Sequence, residues 1–154
     1  MTWCAVLGLV VLATSAGAQT PKRLPRQASD STPASNGPST SAGVYTLEQA
    51  ARGKDVYAGN CRSCHTPASH TGEMFSTWWR GKRLSDLFTF VSTQMPKNDP
   101  GSLAPEDAAD VVAYLLQINA MPPGKVELYP DADSLRRFRI EVRPHDSATV
   151  RRSP

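Results

Sequence analysis

Cysteine is scarce in this chain, and its scarcity limits how the protein can be stabilised. Only three of the 154 residues are cysteine; Cys4 lies in an apolar leader, which leaves Cys61 and Cys64 for the rest of the chain. A small secreted domain that is held together by disulfides needs several pairs spread along its sequence. A disulfide framework is therefore excluded, and the length allows one modest domain.

The leader lacks the length of a membrane-spanning helix. Its apolar run covers residues 5–13, whereas crossing the hydrocarbon core takes about 20 apolar residues. Small residues at 16–18 suit a signal peptidase. We expect residues 1–18 to be a signal peptide, which makes the mature protein periplasmic or otherwise extracytoplasmic. No Lys or Arg precedes the apolar run, a departure from the usual pattern, and a leader that is retained would act as a membrane anchor.

Large apolar side chains are almost absent from residues 19–43. Pro, Ser, Thr, Gly and Ala predominate there, so burial of apolar surface cannot offset the loss of chain entropy. We predict a disordered linker over residues 19–43, a compact domain over 44–128 and a basic C-terminal extension over 129–154.

The C-terminal extension is rich in arginine and has two possible structures. Phe138, Ile140 and Val142 alternate with polar residues, which is typical of a short strand or an extended arm packed on the domain. The alternative is a partly disordered basic tail. Both interpretations remain open from the sequence.

An excess of positive charge is missing from the compact part. Residues 44–127 contain eight Lys or Arg and nine Asp or Glu, and the overall net charge of +3 comes from the ends of the chain. Nucleic-acid binding requires a basic surface. We therefore expect no nucleic-acid partner.

Apolar residues recur at helical spacing in three segments, which predicts an all-α fold. The first covers about 46–60, with Thr46 and Gln49 placed as a capping box. The second covers about 84–93. The third covers about 104–119, and its early proline suits a first helical turn. Three residues are expected at the crossing of the first and last helices, where a glycine permits close approach: Gly53, Tyr57 and Tyr114.

Residues 59–66 read GNCRSCHT and place two thiols and an imidazole at the end of the first predicted helix. A zinc ion, a redox-active dithiol and a covalently attached haem are the three candidates. Zinc would need His70 as a further ligand, and adjacent residues such as Cys64 and His65 rarely point at one ion. A thioredoxin-like dithiol follows a strand, and none is predicted before Cys61. Haem matches these residues better than the other two candidates do. Two cysteines three residues apart can each form a thioether with it, and C-x-x-C-H is the pattern of c-type attachment.

With these motifs in order, residues 45–128 resemble a small monohaem class I cytochrome c. Gly53 and Tyr57 lead into CRSCH, which is followed by MFSTWWRGKRLSDLFTFVSTQMP, DPGSLAPEDAADVVAYLLQIN and MPPGKVEL. The resemblance implies a small cytochrome c fold in which three main helices wrap around one covalently bound haem (heme c). The extended N-terminal linker and C-terminal arm predicted above would flank this fold. It also implies that His65 is the proximal iron ligand and Met95, in the loop before the last helix, the distal one.

The same resemblance gives Trp79 a place in the haem pocket. Phe75 and Trp79 fit the family pattern F-x-x-x-W, which implies a pocket wall whose indole N–H can donate to a haem propionate. Trp78 is the alternative partner, and both tryptophans could simply fill the core.

Other possible axial ligands are less well placed. Met74 lies nine residues after His65, and Met121 follows the last predicted helix. His70 is so close to His65 that both would approach the haem from one side. We expect Met121 to pack or to cap the last helix, and His70 to be a surface residue.

A cytochrome of this kind implies electron transfer without catalysis. When protein side chains fill both axial positions, iron has no vacancy for a substrate, so we expect a one-electron carrier and no enzyme activity. Met/His ligation in an apolar pocket favours a fairly positive potential. The alternatives are a haem enzyme or gas-binding protein with a vacant or labile sixth position, and a cytochrome subunit docked tightly to a quinoprotein dehydrogenase.

The expected partners are exported redox proteins, such as a dehydrogenase or a terminal oxidase. Arg80, Lys82, Arg83 and Lys97 flank the proposed ligand loop. Charges in these positions are suited to steer an acidic partner to the haem edge.

Overall fold

The computed structural model of this protein describes residues 37–142. The predicted signal peptide, most of the predicted linker and the end of the C-terminal extension lie outside the described residues. Five helices follow one another along the described part: α1 Leu47–Asn60, α2 Gly72–Trp79, α3 Leu84–Gln94, α4 Pro105–Ile118 and α5 Ala132–Leu135. No strand is found between residues 37 and 142, so the predicted all-α fold is confirmed, while wrapping around a haem stays a prediction.

The three helices predicted from periodicity are α1, α3 and α4. Each of their bounds lies within one residue of the predicted one. A core of buried apolar side chains joins them, and it includes Leu84 and Leu87 of α3, Leu116 of α4 and Leu135 of α5. Within the described residues, no helix has both the length and the apolar character needed to cross a membrane.

Helix α1 begins at the predicted cap, but the capping box is incomplete. The Oγ1 of Thr46 accepts a hydrogen bond from the Gln49 N–H at 3.1 Å. The Gln49 side chain is buried and turns to Leu128 instead: its Nε2 donates to the Leu128 carbonyl at 3.1 Å, and its Oε1 accepts from the Leu128 N–H at 2.8 Å. Gln49 therefore fastens the segment that follows α4 onto α1.

Helices α1 and α4 cross at Gly53, as the sequence predicts. A Cβ atom built on Gly53 would lie 1.8 Å from the carbonyl oxygen of Asp110, so only glycine allows this approach. Beside the crossing, the rings of Tyr57 and Tyr114 lie 5.3 Å apart between centroids. The three residues expected at the crossing are confirmed there.

Residues 136–142 form an arm packed on the domain, with a turn at 136–137 and extended backbone from residue 138. The Leu84 N–H donates to the Phe138 carbonyl at 2.9 Å, and the Ile140 N–H donates to the Lys82 carbonyl at 2.9 Å. Ile140 is buried, and Phe138 and Val142 are partly buried against the core. The packed-arm interpretation is confirmed for these residues, because the alternating apolar side chains face the core.

The structured region begins before the predicted boundary at residue 44. Thr40–Ala42 form a short 3-10 helix, and Thr40 is fully buried. The Thr40 N–H donates to the Arg139 carbonyl at 2.8 Å, and the Arg139 N–H donates to the Pro38 carbonyl at 3.0 Å. The predicted linker therefore extends too far, since residues 38–43 pair with an arm that lies about 100 residues later in the sequence.

Candidate functional site

The CRSCH segment forms a tight turn at the C-terminal end of α1. Cys61 caps the helix, and its N–H donates to the Tyr57 carbonyl at 2.9 Å. The N–H groups of Cys64 and His65 both donate to the Cys61 carbonyl, at 3.1 and 2.9 Å. One turn of backbone therefore places two thiols and an imidazole at the same end of α1, as the spacing predicts.

The two thiols differ in their surroundings. Neither forms a disulfide; Cys61 is partly buried, whereas Cys64 is exposed. Burial raises the pKa of the Cys61 thiol, because the apolar surroundings disfavour the thiolate. Both sulfurs are thus available for a covalent bond.

His65 is accompanied by a second histidine. The rings of His65 and His70 lie 4.8 Å apart between centroids, and the His70 ring meets Tyr57 edge-on at 6.0 Å. The Nδ2 of Asn119 donates to the His70 carbonyl at 2.8 Å, which ties this segment to the end of α4. Burial, followed by the nearby His65, lowers the pKa of His70. His70 is partly buried and adjoins His65, so the expectation of a surface residue is wrong.

Met95 comes from a different part of the chain. It caps α3 in an extended backbone conformation and is partly buried. The buried Leu87 and Val91 on the same helix anchor α3 to the core and so position its end. Of the rival methionines, Met121 is buried in the core, and Met74 is 60% exposed on α2.

The structure distinguishes the two neighbouring tryptophans. Trp79 is partly buried against the core, with its ring 5.6 Å from that of Phe90, and the Nζ of Lys82 lies 5.1 Å from the Trp79 ring centroid. Trp78 is 62% exposed. Trp79 therefore has the inward position of the two, and its contact with a haem stays a prediction.

The donor set fits a covalently attached haem better than a metal ion held by the protein alone. In residues 37–142, no three side chains of the His, Cys, Asp or Glu type are placed to hold a metal ion together. A zinc site made from Cys61, Cys64, His65 and His70 thus lacks converging ligands. Two unbridged thiols on one turn, with an imidazole next to the second, match the requirements of c-type haem.

Sequence reasoning missed two features around this site. One is α2, whose short MFSTWW run places Met74 and Trp78 four residues apart on an exposed face. The other is an ion cluster in which Arg52 contacts both Asp110 and Glu127. Its members lie 58 and 75 residues from Arg52, so no local pattern could have indicated it. The i, i+4 spacing of Met74 with Trp78, and of Phe75 with Trp79, was the local indication of α2.

One family model matches most of the compact part of the chain. The family model described as cytochrome C oxidase, cbb3-type, subunit III matches residues 48–115. The matched region runs from α1 into α4 and includes CRSCH, Trp79 and Met95. Searches among curated proteins and among solved structures gave no significant match.

Proposed function

We propose, from the premise that residues 48–115 are a c-type cytochrome domain, that this protein is an exported one-electron carrier with a single haem c. The turn after α1 is the observation that supports this proposal most strongly. It gathers Cys61, Cys64 and His65 within one turn of backbone, through two hydrogen bonds to the Cys61 carbonyl. Bound haem supplies reversible exchange of one electron between the ferric and ferrous states.

In this proposal the two thiols hold the haem through thioether bonds. His65 is the proximal ligand and Met95 the distal one. The two ligands would come from separate elements. His65 follows Cys61 at the end of α1, and Met95 lies at the end of α3. His70 is a poor distal ligand because its ring already lies against His65. The thioether of Met95 would favour ferrous iron and so raise the potential.

Two filled axial positions leave no place for a substrate, so the proposed role is electron transfer without catalysis. The partners would be exported redox proteins. The description of the matching family names an oxidase, which supports a terminal oxidase as one such partner. A dehydrogenase would be the partner that supplies the electrons. The site on this chain would bind the cofactor and orient it, while the partner would supply or accept the electron.

Absorption spectroscopy of the protein matured with haem in a periplasm tests the ligation. We expect a sharp low-spin reduced spectrum, no uptake of carbon monoxide, and a weak far-red sulfur-to-iron band in the oxidised form. The band should disappear in Met95→Ala and persist in Met74→Ala, which removes an exposed methionine. A high-spin reduced form that binds carbon monoxide at once would overturn the carrier and favour a gas-binding or peroxide-reducing haem protein.

A further inference from the structure

Two basic segments that are far apart in the sequence lie side by side in the structure. Residues 80–83 read RGKR and join α2 to α3, and residues 136–139 read RRFR and open the C-terminal arm. Together the segments contain six basic side chains and no acidic one. The arm lies beyond the region that the family model matches.

Backbone pairing fixes the two segments against each other. The Gly81 N–H donates to the Ile140 carbonyl at 2.8 Å, and the Ile140 N–H donates to the Lys82 carbonyl at 2.9 Å. An antiparallel bridge joins Arg83 and Arg139. The arm therefore adds its charges to those of the loop on one surface, which we name the basic surface: Arg80, Lys82, Arg83, Arg136, Arg137 and Arg139.

Side-chain contacts fix several of these charges in place. The Nη1 of Arg83 donates to the Arg136 carbonyl at 2.8 Å, and the Nη1 of Arg139 donates to the Gly81 carbonyl at 2.7 Å. Lys82 lies over the Trp79 ring. Such contacts reduce the freedom of the side chains, so less entropy is lost when the charges meet a partner.

Much of this charge is exposed on the part of the chain that the structure describes. Arg136 pairs with Asp133; the carboxylate of Glu141, further along the arm, accepts hydrogen bonds from the Ser39 and Ser41 hydroxyls. The nearby Asp86 accepts a hydrogen bond from the Arg83 N–H at the start of α3. Arg80, Lys82, Arg83 and Arg137 are exposed. These four side chains of the basic surface are therefore accessible to an external anion.

We infer that the basic surface is the docking site for the acidic face of a redox partner protein. The inference rests on the proposed function, since it names the surface through which the electron would be exchanged. Lys82 contacts Trp79, a predicted haem-pocket residue, so a partner bound here sits beside the predicted cofactor site. Long-range attraction between opposite charges would also speed the encounter.

A protein partner fits this surface better than a lipid bilayer does. Arginines held by backbone carbonyls present charges at set positions, which suits carboxylates that are equally fixed on a folded protein. Binding to an anionic membrane depends mainly on the number of mobile basic side chains near the headgroups. Binding to anionic vesicles is therefore the competing outcome that the test must measure.

The test measures binding of the full-length holoprotein to a carboxylate-terminated monolayer on gold, which stands in for an acidic protein face. Surface plasmon resonance at low salt reports bound mass, and voltammetry on the same monolayer reports electron exchange. The variants are Arg80→Glu from the loop and Arg137→Glu from the arm. Lys54→Glu, an exposed residue of α1, is the matched control with the same change in net charge.

Each basic-surface variant should weaken retention by at least about fivefold, whereas Lys54→Glu should weaken it less than about twofold, because oriented docking depends on where a charge lies. Wild type should exchange electrons with the monolayer. Equal losses in all three variants would overturn the inference. The inference would also be overturned if the protein bound the monolayer without exchanging electrons with it, while dissolved hexacyanoferrate still oxidised the reduced protein. If hexacyanoferrate could not oxidise the reduced protein either, the proposed function itself would be rejected. The protein could instead bind phosphatidylglycerol vesicles more tightly than the monolayer and lose that binding in the same two variants. This result would show that the surface contacts a membrane and would overturn the inference of a protein partner.

Discussion

The guanidinium of Arg52 on α1 donates two hydrogen bonds to the carboxylate of Asp110 on α4, at 2.8 Å from Nε and 3.0 Å from Nη2. Asp110 is buried, and its carbonyl oxygen is also the atom that approaches Gly53 most closely. Arg52 further contacts Glu127 through two bonds of 3.0 and 2.9 Å. One cation therefore stabilises both the helix crossing and the position of the segment after α4.

Removing Arg52 should destabilise the fold by leaving a buried carboxylate without a partner. We expect Arg52→Gln to lower the free energy of unfolding by about 1–3 kcal/mol, the usual cost of an unsatisfied buried charged group that retains some access to water. Urea denaturation followed by circular dichroism measures it. Lys54→Gln, on the same helix and exposed, should change stability by less than about 0.5 kcal/mol. Equal effects would contradict a specific role for Arg52.

A methyl group at Gly53 should force the two long helices apart. Because the added Cβ would lie 1.8 Å from a backbone oxygen, Gly53→Ala should cost at least about 3 kcal/mol, at the upper end of overpacking effects. Gly59 on the same helix has no neighbour within 4 Å of an added Cβ. Gly59→Ala should therefore be neutral or stabilise by up to about 1 kcal/mol. Thermal or urea unfolding of the two variants compares them directly, and a well-tolerated Gly53→Ala would rule out the crossing.

The Arg52–Glu127 contact should make stability depend on pH in the acid range. The hydrogen bond from Arg52 lowers the pKa of Glu127 from its ordinary value of 4.5, so the folded state favours the ionised form. The contact contributes fully to the free energy of unfolding at a pH above the pKa that Glu127 has in the unfolded chain. That contribution is lost as the pH falls through the lower pKa that Glu127 has in the folded protein. Because the pair is half exposed, it is worth about 0.5 kcal/mol.

The urea midpoints of wild type and Glu127→Gln measure this contribution between pH 7 and pH 3. The two midpoints should differ at pH 7 and converge as the carboxylate becomes protonated. A gap that widens toward acid would show that the sign is wrong.

The C-terminal arm should contribute to stability through its buried isoleucine. Ile140 is 1% exposed, so Ile140→Ala should cost about 2–4 kcal/mol from the lost apolar burial and the remaining cavity. Val126→Ala truncates a side chain that is 61% exposed and should change stability by less than about 0.5 kcal/mol. Guanidinium titration distinguishes these outcomes. If the two truncations behave alike, the arm is not part of the core.

Local patterns predicted the elements whose signals lie within a few residues. Thr46 at the start of α1, the apolar stripe of α4 and the CRSCH turn are read from short windows, and the structure has all three. The Gly53 crossing was also predicted, because a glycine in a helix permits close approach of a second backbone. These predictions succeed since each depends on neighbours in the chain or on a recurring motif.

Contacts between distant residues could not be predicted in the same way. Gln49 looked like half of a capping box, yet its side chain binds Leu128, 79 residues away. Residues 38–43 have the composition of a linker, yet Thr40 is buried because Arg139 offers its backbone as a partner. Composition records how much apolar surface a segment has. It does not record which remote backbone will satisfy its polar groups.

Mass spectrometry of the intact, denatured protein after maturation in a periplasm shows whether a haem is attached covalently. We expect a mass increase of one haem that survives denaturation, with neither Cys61 nor Cys64 open to a thiol reagent. Cys61→Ala together with Cys64→Ala should remove the added mass. A wild-type protein with two free thiols and no added mass, produced in cells that mature a known c-type cytochrome, would show that this protein does not carry haem c.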